Sequence, residues 1–208
     1  MRLRQLFEAT DKTAAFAFGR MNPATIGHEL LVEEILRQPG DHFLFLSDRP
    51  AKLPDDPLSA KEKQEWAQAS FPKIKVLLAK TALIAADEIY KMGYQNLIYL
   101  EGEPKLGAVI KKYNGVEVPM HNFNFDNIDL VRLERDEHAL DAKGMSGTKL
   151  RGYAVKNDFE AFRNGVAEPA QGIAKPMFDK LRDLLVVNEA KEVTTSAEIY
   201  VDMDGVLA

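Results

Sequence analysis

The 208-residue chain contains no cysteine. Disulfides, thiolate zinc sites and cysteine nucleophiles are therefore excluded, and the composition fits a reducing compartment. Any metal has to be held by oxygen or imidazole, and His42, His121 and His138 are scattered without metal-ligand spacing. Positive charge is also scarce: 27 Lys and Arg stand against 32 Asp and Glu, a formal net charge of −5. A broad basic face for nonspecific nucleic-acid binding is excluded, so any cationic site must be local. No apolar run reaches the length of a membrane span or signal peptide, and the opening Met1 to Thr10 carries two arginines. The simplest expectation is a soluble, cytoplasmic protein. Low-complexity tracts and internal repeats are missing as well.

A hydrophobic content of 46% over this length is enough to bury a full core, in one domain or one domain with a small extension. Apolar runs at 13–18, 42–46, 74–78, 96–100 and 128–133 have strand length. Helical spacing fills the intervals at 27–37, 58–70, 82–92, 105–113 and 146–156, and an amphipathic helix follows at 175–187. In the first helix Leu30, Leu31, Val32 and Ile35 form the apolar stripe. Pro39-Gly40, Gly93 and Asn114-Gly115 supply stop signals. The alternation predicts an α/β fold, a Rossmann-like parallel sheet with helices on both faces, with ligands at the carboxyl ends of the strands. The organisation reads as an N-terminal extension (1–12), a main domain (13–187), a polar linker (188–197) and the start of something further (198–208).

Two helix starts carry the chemistry. In the first, Gly19-Arg20-Met21-Asn22-Pro23 leads from a strand into Thr25-Ile26-Gly27-His28. Gly19 permits a bend, Asn22-Pro23 restricts the turn and Gly27 lets an anion approach the backbone. In the second, Met145-Ser146-Gly147-Thr148-Lys149-Leu150-Arg151 opens a helix with hydroxyls and two cations. Unpaired N–H groups make a helix start attractive to phosphate. A cation there has the wrong sign for the dipole unless an anion completes the site, so His28, Lys149 and Arg151 point to phosphate handling.

Thr25-Ile26-Gly27-His28 resembles the [HT]-x-G-H signature of the nucleotidyltransferase superfamily, and 145–151 resembles its I-S-S-T-x-x-R motif with Met145 for Ile and Gly147 for the second Ser. Pro57-Leu58, Phe71-Pro72, Tyr113-Asn114-Gly115 and Asn124-Phe125-Asp126-Asn127 are most similar to phage-encoded nicotinamide-nucleotide adenylyltransferase-like proteins. The resemblance implies transfer of AMP from ATP to a small phosphorylated acceptor, nicotinamide mononucleotide in particular, with release of pyrophosphate. It implies that His28, Thr25 and Arg151 are catalytic: His28 donates to the α-phosphate, Thr25 holds the same region, and Ser146, Thr148 and Arg151 grip the β- and γ-phosphates. Gly19, Arg20, Asn22, Gly27, Gly102, Ser146, Thr148 and Lys149 then line the nucleotide site, and Mg²⁺ arrives with ATP without assigned protein ligands. Phage origin, virion association and a homo-oligomer are compatible with the same resemblance.

Simpler roles stand beside these. Ser146 is also a plain N-cap, and Lys149 and Arg151 taken singly are solvated charges. Ser47 and Lys52 lie near a strand end as further contact candidates, whereas Trp66, sharing a helix face with Leu58 and Ala69, reads as core. Gly102-Glu103-Pro104-Lys105 departs from the family's Gly-Ser-Asp-Arg, which leaves open a protein that binds nucleotide without turning it over. A cytidylyltransferase acting on a sugar or polyol phosphate is the other alternative. The tail Val201-Asp202-Met203-Asp204-Gly205-Val206-Leu207 resembles the first motif of haloacid-dehalogenase-like phosphatases, with Asp202 as nucleophile and Asp204 as acid/base, in a domain cut short.

Overall fold

The computed structural model describes residues 12–101, 104–132 and 144–186. The expected N-terminal extension up to residue 11, Gly102 and Glu103, the linker and the phosphatase-like tail lie outside the described residues. Two compact units divide what remains. The first comprises 12–19, 29–48, 72–101 and 104–132; the second comprises 20–28, 49–71 and 144–186.

The first unit is a parallel sheet of β1 (Thr13–Gly19), β2 (Asp41–Ser47), β3 (Lys75–Ala79), β4 (Asn96–Glu101) and β5 (Asn127–Arg132), in the order β3-β2-β1-β4-β5. The chain winds outward from β1 to β3, then returns to the far side of β1 with β4. Right-handed crossovers therefore place α1 (Ile26–Arg37) on one face and α3 (Ala82–Lys91) with α4 (Pro104–Tyr113) on the other. Phe16, Phe45 and Tyr99 pack with Ala85, Ala86 and Ile89 of α3 and Ile110 of α4. Alternation sends Ala15, Leu44, Leu46 and Leu100 to the opposite face, where they are equally buried. Burial on both faces is why these strands read as continuous apolar runs. Three alanines in the central strand leave room for rings, and Phe16 stacks obliquely on Tyr99 with centroids 4.9 Å apart.

The expected Rossmann-like sheet is thus present, with element ends within a residue or two of the periodicity. One face assignment differs. Leu30 is 38% exposed while Leu31, Val32 and Ile35 are buried, because a turn of about 100° per residue puts Leu30 roughly 140° from Ile35.

The second unit is helical: α2 (Ala60–Ser70), α5 (Gly147–Val155), α6 (Phe159–Asn164), a 3₁₀ turn (Glu168–Ile173) and α7 over 174–186. Its core joins Leu58, Leu150, Phe162, Met177, Phe178 and Leu181, with Trp66 and Ala69 packed against it, as expected for Trp66. Ser59 and Glu62 form a reciprocal capping box, so α2 starts at Ala60 rather than at Leu58. The sequence periodicity did not resolve α6 or the 3₁₀ turn, each only 6 residues long.

Two glycine stops make contrasting stability predictions. Gly40 has φ +91° and a Cβ there would lie 2.0 Å from the Thr13 carbonyl oxygen, whereas Gly93 has φ +88° with nothing within 4 Å. Gly93→Ala should cost about 1–2 kcal/mol for the left-handed backbone alone, and Gly40→Ala clearly more, in urea unfolding at equal slope. A second prediction concerns pH. Tyr94 donates a 2.6 Å hydrogen bond to Asp41, and burial followed by that bond and the carboxylate's charge pushes its phenol up to about 12. Below the unfolded value of 10.0 the contribution to stability is complete; above it the unfolded chain loses the proton first. Stability should fall between pH 10 and pH 12, and Tyr94→Phe should flatten that slope.

Candidate functional site

Arg20, exposed, directly follows the last residue of β1. The turn toward α1 does not bend at Gly19 as expected. Gly19 stays in the ladder opposite Leu46, and the left-handed residue is Met21, at φ 43°. For a non-glycine residue this costs about 1–2 kcal/mol; burial of the Met21 side chain, 4% exposed, holds it there. The following Asn22-Pro23 peptide bond is cis.

At the start of α1, the Thr25 backbone N–H donates to Nδ1 of His28 at 3.0 Å. His28 so takes the place that Glu or Gln fills in an ordinary capping box. A backbone N–H can only donate, which makes Nδ1 an acceptor and leaves the ring proton on Nε2. The Thr25 hydroxyl lies 2.9 Å from the same Nδ1 and donates to the Met145 carbonyl at 3.2 Å. Thr25 is 0% exposed. Its amide and hydroxyl thus meet the imidazole and tie the two helix starts together. Two α1 amides are likewise engaged, Ile26 N–H by the Gly165 carbonyl at 3.0 Å and His28 N–H by the Thr25 carbonyl at 2.9 Å. The anion-receiving capacity of this helix start thus rests more on side chains than the sequence suggested.

Ser146 caps α5, its hydroxyl accepting from Lys149 N–H at 3.3 Å. Arg151 turns back toward the first segment: one guanidinium N–H donates to the Asn22 carbonyl at 2.5 Å and another to the Thr148 hydroxyl at 3.1 Å. Partial burial holds the Arg151 pKa below its ordinary value, with Arg20 pushing the same way and Asp55 and Asp56 opposing. The fork is therefore less solvated than a surface arginine and sits beside a second cation, an arrangement an anion relieves. Thr148 and Lys149 are exposed.

Gly147, the departure from the I-S-S-T-x-x-R pattern, has a steric cause. A Cβ at Gly147 would lie 2.8 Å from the Asn22 carbonyl oxygen and 3.3 Å from that of Pro23. The α5 start is thus pressed against the Asn22-Pro23 turn.

Asn22 itself is 4% exposed, and its amide nitrogen donates to Asp56 and, at 3.4 Å, to the Leu58 carbonyl. Its side chain is thus buried and bonded to protein groups. Asp56 in turn pairs with Lys63, a fully buried amine, at 3.4 Å. Asp55, Asp56, Lys63 and Gly165 were not anticipated as part of this cluster. Lys63 escaped because a lysine in a polar helix reads as solvated.

Arg20, Asn22, Thr25, Gly27, His28, Ser146, Thr148, Lys149 and Arg151 all fall within the second unit. Gly19 and Ser47 belong to the first; Lys52 is exposed and bonds to Asp56 through its backbone. Gly102 lies outside the described residues. No group of three His, Asp or Glu side chains suited to a metal ion is found among the described residues, and none of the described helices is long and apolar enough to cross a membrane.

No protein-family model matches the chain, and no curated protein does. Among solved structures it is similar to a Plasmodium falciparum nicotinic acid mononucleotide adenylyltransferase complexed with NaAD, at 13% identity and TM-score 0.47 over 84% of this chain and 99% of that one. The same protein complexed with APC gives 12% and 0.47 over 81% and 98%. The NadR protein in complex with NAD and AMP-PNP gives 15% and 0.45 over 69% and 46%. At these values the likeness assigns neither family nor activity, and the functional reading rests on the site.

Restoring the serine of the motif provides a test of the packing. Gly147→Ser should destabilise the protein by about 1–3 kcal/mol through overpacking, seen as a lower unfolding midpoint, whereas Thr148→Ser should leave it nearly unchanged.

Proposed function

We propose that the chain is a nucleotidyltransferase that moves AMP from ATP to a small phosphorylated acceptor, nicotinamide mononucleotide in particular, and releases pyrophosphate. The observation that carries this reading is the 2.5 Å bond from Arg151 to the Asn22 carbonyl. It sets a phosphate-gripping cation of one motif against the turn that leads to His28 of the other. The [HT]-x-G-H and I-S-S-T-x-x-R resemblances supply the chemistry of the class, and the Met145-Ser146-Gly147 form of the second motif suits ATP better than CTP.

In this mechanism an oxygen of the acceptor phosphate forms a bond to the α-phosphorus of ATP. The bond from that phosphorus to the bridging oxygen breaks, and pyrophosphate leaves with the electron pair. The protein contributes position and charge and no covalent intermediate. His28, kept as the Nε2–H tautomer by the Thr25 amide, donates to an α-phosphate oxygen as charge develops there. Arg151 and the exposed Thr148 and Lys149 receive the leaving phosphates. Mg²⁺ would come with ATP and offset phosphate charge, and no protein ligand is assigned to it.

Incubation with labelled ATP and nicotinamide mononucleotide should yield pyrophosphate and a dinucleotide. His28→Ala should lower the rate about 10²–10³-fold while leaving the free energy of unfolding within about 1 kcal/mol of wild type. Wild-type turnover in that variant removes His28 from the chemistry. ATP binding without pyrophosphate release across a broad acceptor screen makes the protein a nucleotide-binding module instead, and turnover with CTP alone makes it a cytidylyltransferase.

A further inference from the structure

The site described above is backed by polar groups that the proposed reaction does not use. Lys63 is 0% exposed and its amine lies 3.4 Å from Asp56, itself 7% exposed. The same Asp56 oxygen, Oδ1, accepts from the Asn22 side-chain amide, and Asp56 is clamped by two backbone hydrogen bonds with Lys52, both 2.7 Å. Asn22 then presents its carbonyl to the Arg151 guanidinium at 2.5 Å. A buried ion pair is poor value as a stabilising device, since apolar residues of similar volume often serve as well or better. What distinguishes it is its neighbour: Asp56 joins the buried Lys63 to Asn22, the residue whose carbonyl receives the Arg151 guanidinium.

We propose that Asp56, anchored by Lys63, is a positioning residue that sets the Arg151 fork for a triphosphate by fixing the peptide of Asn22; this rests on the phosphate-binding reading of the site. Asp56 touches no ligand. It acts through Asn22, and its charge also offsets the repulsion between Arg20 and Arg151 in the unliganded protein. Without the clamp, the Asn22 side chain keeps only its two 3.4 Å bonds with the Leu58 backbone, and the fork is held less firmly, a loss that matters only while Arg151 is present.

The test is a double-mutant cycle on binding, with ATP and inorganic tripolyphosphate as probes in titration calorimetry of the full chain. Wild type should bind both. Asp56→Ala should weaken both by about ten-fold in the wild-type background and by less than about two-fold in Arg151→Ala, a coupling in the range seen for residues of one network. If Asp56→Ala unfolds because the buried Lys63 loses this carboxylate, the same cycle is run with Asp56→Ala/Lys63→Met, in which the buried pair is replaced by apolar groups. Losses that are additive with Arg151→Ala overturn the positioning role while leaving the phosphate site intact. A paired replacement that fails to fold overturns it too, assigning the pair to the core. Absence of tripolyphosphate and ATP binding in wild type overturns the phosphate reading itself, and the positioning role with it.

Discussion

The bond from the Arg151 guanidinium to the Asn22 carbonyl joins residues 129 positions apart and holds the site's geometry together. A charge-assisted hydrogen bond of this kind contributes about 1.5–3 kcal/mol, but its larger effect is geometric. It requires the Asn22 peptide to face α5, which the left-handed Met21 and the bonds of the Asn22 side chain arrange. It also requires α5 to begin close enough to be reached, and only a residue without a side chain fits at Gly147. The Thr25 hydroxyl closes the same seam from the other side at the Met145 carbonyl.

The electrostatics of the two helix starts follow from that seam. Histidine and arginine near a helix N-terminus oppose the dipole, and each is accommodated differently. His28 accepts the Thr25 amide hydrogen and so remains a neutral donor through Nε2. Arg151 remains charged but gains a carbonyl and a hydroxyl as partners, with Asp55 and Asp56 favouring its charge against burial and Arg20. The result is a cationic cluster in a chain of net charge −5, a local focus instead of a basic face.

Much of the architecture was legible in the pattern. Parallel strands buried on both faces appear as unbroken apolar runs, and Gly40, Gly93 and Gly115, all at positive φ, mark helix stops that no other residue takes without strain. The two motifs were legible as types of residue in a spacing. The hydrogen-bond partners of Asn22 and Thr25 were not, since those depend on what packs over each group. Leu30 was misplaced for a simpler reason, an apolar side chain on a helix face that nothing covers. Lys63 is the converse, a charge hidden because Asp56 was there to receive it.

Local chemistry alone settled where the strands and the longer helices lie, which helix starts carry cations, and that any positive site had to be confined. These depend on periodicity, capping and turn geometry, which act over a few residues. Tertiary structure alone decided that Asn22 and Thr25 are buried and bonded to protein groups, that Gly147 is a steric necessity, and that Lys63 is hidden against Asp56. Those facts arise from contacts between distant segments, where burial and the choice of hydrogen-bond partner are fixed only once the chain has packed.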